Sequence, residues 1–432
     1  VRGVAGTSAA LPFAVSFVVP GLAAVAVLVV YLLARDLGVG QAPAAGTAVL
    51  LGFASIQWPA AQDGGTVVAA EAFLLLGLWC LHRGPTASDR GAWWLIGSGA
   101  ALGFSVMVLA QMVLVLPLAL VYLVATAWPR GARRVGPGRS LVGVLRPVGL
   151  WCLPLAASGA AVAWFNWARF GSPLSEAPGG APVGLATSPV LHGLHGLLAS
   201  PGRSVVLFAP VVLIGLAGLG GLFRARPVLA GVLVGTALGE LLLNAAAAGW
   251  PGGVSWGPQV LVPTVALAVL PACFVLARWP VLRGAWRGAI LGVSLLGLAM
   301  SLLGASFASG AVARAHGGAS AAFYWSVGHS QVADTVRTAI AVLGGARLPR
   351  GLAAGVAPAQ LWWARPGLDQ LATHVAWGVA SGLALGGLVA AGLLVVRLWP
   401  APAWEPAVER VHARVVATLG AGDPVPGGPV DA

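Results

Sequence analysis

The chain is a succession of long apolar runs separated by short gaps, and most of its charge lies in those gaps. A helix needs about 20 apolar residues to cross a bilayer. By that measure about eleven spans are predicted, near 11–34, 44–60, 66–82, 93–109, 111–128, 147–166, 204–222, 228–248, 259–278, 288–305 and 371–397. The organisation that follows is a transmembrane core over 1–305 of about ten helices, with outer loops at 61–65, 167–203 and 249–258. An extracytoplasmic segment covers 306–370, a last span 371–398 and a cytoplasmic tail 399–432. The 306–370 segment is too long for a simple connector. Its "SQVADTVRTAIAVLGG" has apolar residues at helical spacing, with Asp334 and Arg337 on the polar side, and predicts an amphipathic helix lying on the membrane.

Composition confirms the solvent. At 432 residues, 58% hydrophobic and 8% charged, with mean hydropathy +0.90, the chain has too few charges to cover a soluble globule. The fold class expected is therefore all-α, a polytopic helical membrane protein. The formal charge of +12 comes from Arg alone, because the sequence has no Lys. No basic domain gathers those residues, so nucleic acid is not an expected partner and membrane lipids are.

Alternate gaps hold sixteen of the 24 Arg: Arg35; Arg83 and Arg90; Arg130, Arg133, Arg134, Arg139 and Arg146; Arg224 and Arg226; Arg278, Arg283 and Arg287; Arg397, Arg410 and Arg414. By the positive-inside rule these gaps face the cytoplasm, which leaves the N-terminus outside and the C-terminal tail inside a bacterial cytoplasmic membrane. The first span has no short apolar stretch followed by a small-residue cleavage site, so it is expected to be retained. Cys80, Cys152 and Cys273 each lie in an apolar run and read as small core residues.

Polar residues inside spans stand out against this background. Glu240 falls roughly 12 Å below the outer end of its predicted helix, where a carboxylate must be paired, protonated or facing water. Asn244 is one turn higher on the same face, so the two read either as a functional stripe or as an interhelical hydrogen-bonding pair. "HGLHG" places His192 and His195 one turn apart; it reads as a short interfacial helix and is not assigned a metal. The outer stretch "GWPGGVSWGPQ", Gly249 to Gln259, has glycines free to take unusual backbone angles, helix-stopping prolines, and Trp250 and Trp256 suited to the headgroup layer.

That stretch, extended to "GWPGGVSWGPQVLVPTVALAVLP", resembles the W-x-G-G-x-S-x-G-P-R-x-L-x-P-x-x-P pattern of bacterial polytopic glycosyltransferases of the GT-C class, related to the protein mannosyltransferase type. "WFNWARFGSPLSEA", Trp164 to Ala177, resembles that family's W-Y-N-x-x-R-F-G-S-P-L segment. "LLASPGRSVVLFAPVVL", Leu197 to Leu213, resembles its L-L-x-S-P-G-x-G-L segment, and "IQWPAAQDGGTVVAAEAFLLL" resembles a W-P segment between two early spans. The resemblance implies a GT-C-like fold and transfer of a sugar from a polyprenyl-phosphate donor to an envelope glycan, lipid or protein acceptor at the outer membrane face.

Two departures matter. Gln259 stands where the family has Arg after Gly-Pro, and a neutral amide replaces a guanidinium able to fork onto phosphate. The acidic residue of the family's first outer loop has no counterpart; either Val1 reflects an alternative start codon, or the chain begins one span after the family's first and that loop went with the span.

Such a transfer needs a carboxylate to take the acceptor proton and donors to hold the departing phosphate. Asp63 and Glu240 are the candidate catalytic carboxylates, with Glu71 a neighbour of the same cavity or an interhelical contact. Asp63 also reads as a solvated turn residue before Gly-Gly. Donor-binding candidates are Arg203, Trp250, Gly252, Gly253, Trp256, Gln259 and Arg365. No cofactor is definite, and a divalent metal is left open. The alternatives are a non-catalytic, degenerate envelope homologue, favoured by Gln259 and the absent acidic loop, and a transporter, for which no internal repeat is found. No nucleotide-binding motif marks the cytoplasmic side, which disfavours a nucleotide-sugar donor.

Overall fold

A computed structural model describes residues 17–63, 65–86, 91–127, 137–173, 189–307, 309–315 and 320–343. All lie in one compact unit, Val1–Leu371. The expected last span, the tail and Arg365 fall outside the described residues.

The described chain is helical. Helices α1 (Val18–Asp36), α2 (Gln41–Phe53), α3 (Gln57–Gln62), α4 (Thr66–Arg83) and α5 (Gly91–Val108) come first. A 3-10 turn, Ala110–Leu114, leads into α6 (Val115–Ala127), and α7 (Pro137–Phe170) follows. Next come α8 (Val190–Ala199), α9 (Val205–Phe208), α10 (Val212–Ala225) and α11 (Pro227–Ala246). Then α12 (Val262–Val269), α13 (Ala272–Leu276), α14 (Gly284–Ser306), α15 (Ser309–Ala315), α16 (Ala321–Trp325) and α17 (Gln331–Leu343) complete the described set. Among the described residues seven helices are long and apolar enough to cross a membrane: α1, α4, α5, the Ala110–Ala127 segment, most of α7, α11 and α14. The chain is an all-α polytopic membrane protein.

Three predicted spans are broken rather than continuous. Span 44–60 is interrupted after Phe53, where the Ser55 hydroxyl donates to the Leu51 carbonyl at 2.6 Å and accepts the Gln57 N–H at 3.1 Å. This local bonding replaces helical bonds and turns the chain. Spans 204–222 and 259–278 break near Pro210 and Pro271, which have no N–H to continue a helix. These segments nevertheless carry the chain across. The C-terminal ends of α1 and α4 meet in a forked ion pair, Arg83 to Asp36, with both contacts at 2.6 Å. The two helices therefore run parallel, and the chain between them must return through α2 and α3. Likewise Gly215 of α10 abuts the Ala268 carbonyl and Gly218 the Pro271 carbonyl, so a Cβ at either position would collide with backbone. This parallel contact, made possible by small residues, requires α11 to bring the chain back between them.

Helix α4 is the centre of the bundle. Most of its residues are buried, whereas α7 exposes Leu145, Leu153, Trp164 and Phe165 as lipid-facing surface would. At the Arg83 end, the Trp79 indole N–H also donates to Asp36 at 2.9 Å and His82 Nδ1 lies 2.9 Å from the Tyr122 hydroxyl. At the other end, Ser105 of α5 donates to the Ala70 carbonyl of α4 at 2.8 Å. The Asp63 turn, Ser255, Gln259 and the start of α17 cluster at that second end.

One expectation needs reorienting. Helix α17 is amphipathic, but its polar stripe, Gln331, Asp334, Thr335 and Thr338, is buried, while Val336 and Ile340 are exposed. Thr335 and Thr338 donate to backbone carbonyls one turn back, and Asp334 pairs with Arg337 at 2.7 Å, so the stripe enters the protein satisfied. The exposed edge carries Val336 and Ile340, with Arg337 beside them.

Candidate functional site

The loop from Gly249 to Gln259 takes its shape from glycine. Gly252, Gly253 and Gly257 have φ of 69°, 71° and 62°, backbone that side chains with a Cβ adopt at a cost. The loop's carbonyls then point inward onto one side chain. Arg203, fully buried, donates to the carbonyls of Ser255 and Gly257, each at 2.5 Å, and to that of Gly253. Its guanidinium carbon also lies 5.6 Å and 5.5 Å from the Phe323 and Tyr324 ring centres. Burial pushes its pKa down to about 10, opposed by Tyr324, so it stays charged at neutral pH.

Arg203 was expected to meet a lipid phosphate. The structure engages its guanidinium on loop carbonyls instead, because the helix-breaking SPG turn puts residue 203 inside the protein and not at its surface. Gln331 completes the clasp: its amide oxygen accepts the Gly257 N–H at 2.9 Å and its Nε2 donates to the Ser255 carbonyl at 2.7 Å.

The clasped loop delivers Gln259. Its side-chain amide donates to the Asp63 carboxylate, joining two residues 196 positions apart. Asp63 keeps an exposed edge, yet surrounding protein raises its pKa; desolvation outweighs the bonds from the Gln259 side chain and the Trp256 backbone, which favour the charged form. The result is a carboxylate at the helix ends that reaches solvent, is oriented by the Gln259 side chain and the Trp256 backbone, and is more basic than a free Asp.

The tryptophans divide their work. Trp256 is buried against Phe208, with ring centres 5.1 Å apart, and Gly304 leaves room for its ring. Trp250 packs over Gly196 and beside His192, Tyr324 and Trp325, at 5.7 Å, 5.9 Å and 5.9 Å between centres. His195 stacks on Trp325 at 4.9 Å. The two His thus belong to an aromatic cluster on the short helix α8. Among the described residues no three His, Cys, Asp or Glu converge as metal ligands.

Glu240 lies about 9 Å from the end of α11, six residues below Ala246 at 1.5 Å each. It accepts from Gln111 Nε2 at 2.8 Å, and one carboxylate oxygen has no partner among the described residues. Asn244 donates to its backbone carbonyl at 2.8 Å and not to its carboxylate. A parallel pair sits in α4: Glu71, fully buried, accepts from Gln57 Nε2 at 2.6 Å. Asp63, Glu71 and Glu240 therefore each hold a different glutamine amide. Gln57, Gln111 and Gln331 were not singled out from sequence; the partners of Gln111 and Gln331 are remote along the chain, and Gln57 meets Glu71 only because the break after Phe53 turns the chain back onto α4.

Residues 3–149 match the family model described as dolichyl-phosphate-mannose-protein mannosyltransferase. No curated protein and no solved structure matches the chain. The matched stretch, about a third of the chain, contains Gln57, Asp63, Glu71 and Gln111. It ends before Arg203, Glu240 and the Gly249 to Gln259 loop, whose likeness to the GT-C pattern rests on their own residues. Helical architecture and family match together support a glycosyltransferase of the GT-C type.

Proposed function

We propose that the protein moves a sugar from a polyprenyl-phosphate donor to a cell-envelope acceptor at the outer face of the bacterial cytoplasmic membrane, with Asp63 as the base. The observation that carries this reading is the Gln259 to Asp63 bond, which brings a carboxylate of the family-matched third to the W-x-G-G-x-S-x-G-P loop. In the reaction the acceptor oxygen attacks the anomeric carbon, the bond from that carbon to the phosphate oxygen breaks, and the acceptor proton passes to Asp63. A desolvated carboxylate is a stronger base, and the bonds from the Gln259 side chain and the Trp256 backbone hold its orientation. Polyprenyl phosphate leaves with the bonding electrons. Arg365 and the helix-end backbone remain candidates to meet its charge, as does Gln259 once Asp63 is protonated. Glu240, with its partnerless oxygen, is the alternative carboxylate.

The second reading is a non-catalytic homologue, and one observation favours it: Arg203 is engaged on the loop while Gln259 occupies the position of the family's Arg. The test uses the full chain in lipid nanodiscs, with radiolabelled polyprenyl-phosphate mannose, the sugar in the matched family's name, and a cell-envelope extract. Donor binding by wild type, with transfer lost in Asp63→Asn but kept in Glu240→Gln, supports the reading. Folded wild-type protein that neither binds nor turns over this donor or its glucose and arabinose counterparts would leave the non-catalytic reading standing.

A further inference from the structure

At the opposite end of the bundle from Asp63, where Arg83 closes on Asp36, lies a cavity of about 420 Å³ between α4, α5, α6 and α7. Its walls are about half apolar, with Leu95, Leu123 and Leu150 beside the small residues Gly84, Gly91 and Gly143, and about half polar, with Thr126 and its one charged lining residue, Arg146. We infer that this cavity holds an anionic glycerophospholipid, with its phosphate on Arg146 and the upper part of its chains against the leucines.

Three observations carry the assignment. The leucines of α5, α6 and α7 give the recess an apolar wall that acyl chains wet better than water does, beside a polar part that includes Thr126 and Arg146. Arg146 is exposed, and its side chain makes no hydrogen bond or ion pair among the described residues. A guanidinium in that state, on a helix otherwise facing lipid, prefers phosphate, which it can grip in a fork. Third, Pro147 has no N–H to give the Gly143 carbonyl one turn earlier, and both residues line the cavity. That carbonyl is an acceptor for a headgroup hydroxyl. Charge complementarity selects the class: from 84 to 150 six Arg stand against one acidic residue, Asp89, with Arg130, Arg133 and Arg134 between α6 and α7 and Arg139 at the start of α7. The nearby carboxylate of Asp36 is engaged by Arg83 and Trp79. This inference is independent of the sugar-transfer reading.

Full-length protein in detergent would be exchanged against equimolar phosphatidylglycerol and phosphatidylcholine, and retained lipids counted by native mass spectrometry. Wild type is expected to retain phosphatidylglycerol preferentially. Arg146→Gln should reduce that preference roughly fivefold, the worth of one basic side chain near an anionic surface, and Arg146→Lys should restore part of it. Gly143→Leu fills the cavity from a position with open space around it and should lower retention of both lipids. Arg169→Gln, at the other end of α7, should change nothing. Unaltered preference in Arg146→Gln, or wild-type retention in Gly143→Leu, overturns the assignment.

Discussion

Replacing Arg203 by Met keeps the apolar stem and removes every donor from the centre of the Gly253 to Gly257 loop. Three carbonyls lose a partner, with unequal consequences. Gly253 is exposed, so water replaces the bond at a net loss of about 0.5–1.5 kcal/mol. Ser255 keeps the Gln331 amide at 2.7 Å. Gly257 is buried but keeps the Gln259 backbone N–H at 3.0 Å, so its loss is also only about 0.5–1.5 kcal/mol. The total is about 1–3 kcal/mol, all localised in the loop, which corresponds to a roughly 5- to 150-fold rise in its opening equilibrium. Hydrogen exchange read by mass spectrometry reports this directly at the Gly257 N–H, whose acceptor is Gln331. Arg203→Lys should fall between, since one ammonium cannot reach all three oxygens. The experiment needs no donor, so it separates a structural clasp from a phosphate contact. If the Gly257 amide in Arg203→Met exchanges within about threefold of wild type, under 1 kcal/mol, the clasp does not hold the loop.

Transfer activity should fall on the acid side as Asp63 takes up a proton, with its midpoint above the ordinary Asp value because burial raises this pKa. The Gln259 bond favours the ionised form, so Gln259→Ala should move the acid limb to higher pH, readable in a rate profile. Glu71→Ala leaves the buried Gln57 amide without its acceptor and should lower thermal stability in detergent by about 2–4 kcal/mol, while Glu71→Gln should cost less. Gly257→Ala combines a positive φ with a Cβ directed into the Phe208 ring, and should quench or shift Trp256 fluorescence and reduce donor binding more than global stability.

Hydropathy located the long spans because twenty apolar residues in a row have few other uses. It did not show the breaks at Phe53, Pro210 and Pro271, since short helices packed against one another are as apolar as a single long one. Asp63 and Gln259 each stood out locally, one by its turn and the other by its place in a motif, but their union spans 196 positions. Only the packing of α12 beside α4 brings them together. Arg203 shows the reverse case. A cation near a span end reads as a headgroup contact, whereas here three converging carbonyls compensate its burial. The polar stripe of α17 was legible as amphipathic, but periodicity cannot say which face is inward when the interior surface it meets is itself polar backbone.

The clasp also makes the loop and α17 a single lever. Gln331 begins a helix whose outward edge is Val336 and Ile340, and the same amide grips Ser255 and Gly257, two residues before Gln259. A shift of α17 in the plane or depth of the bilayer therefore carries the loop with it and changes the reach of the Gln259 amide toward Asp63. Lipid packing around an apolar helix edge becomes, through two hydrogen bonds, a control on the orientation of a carboxylate.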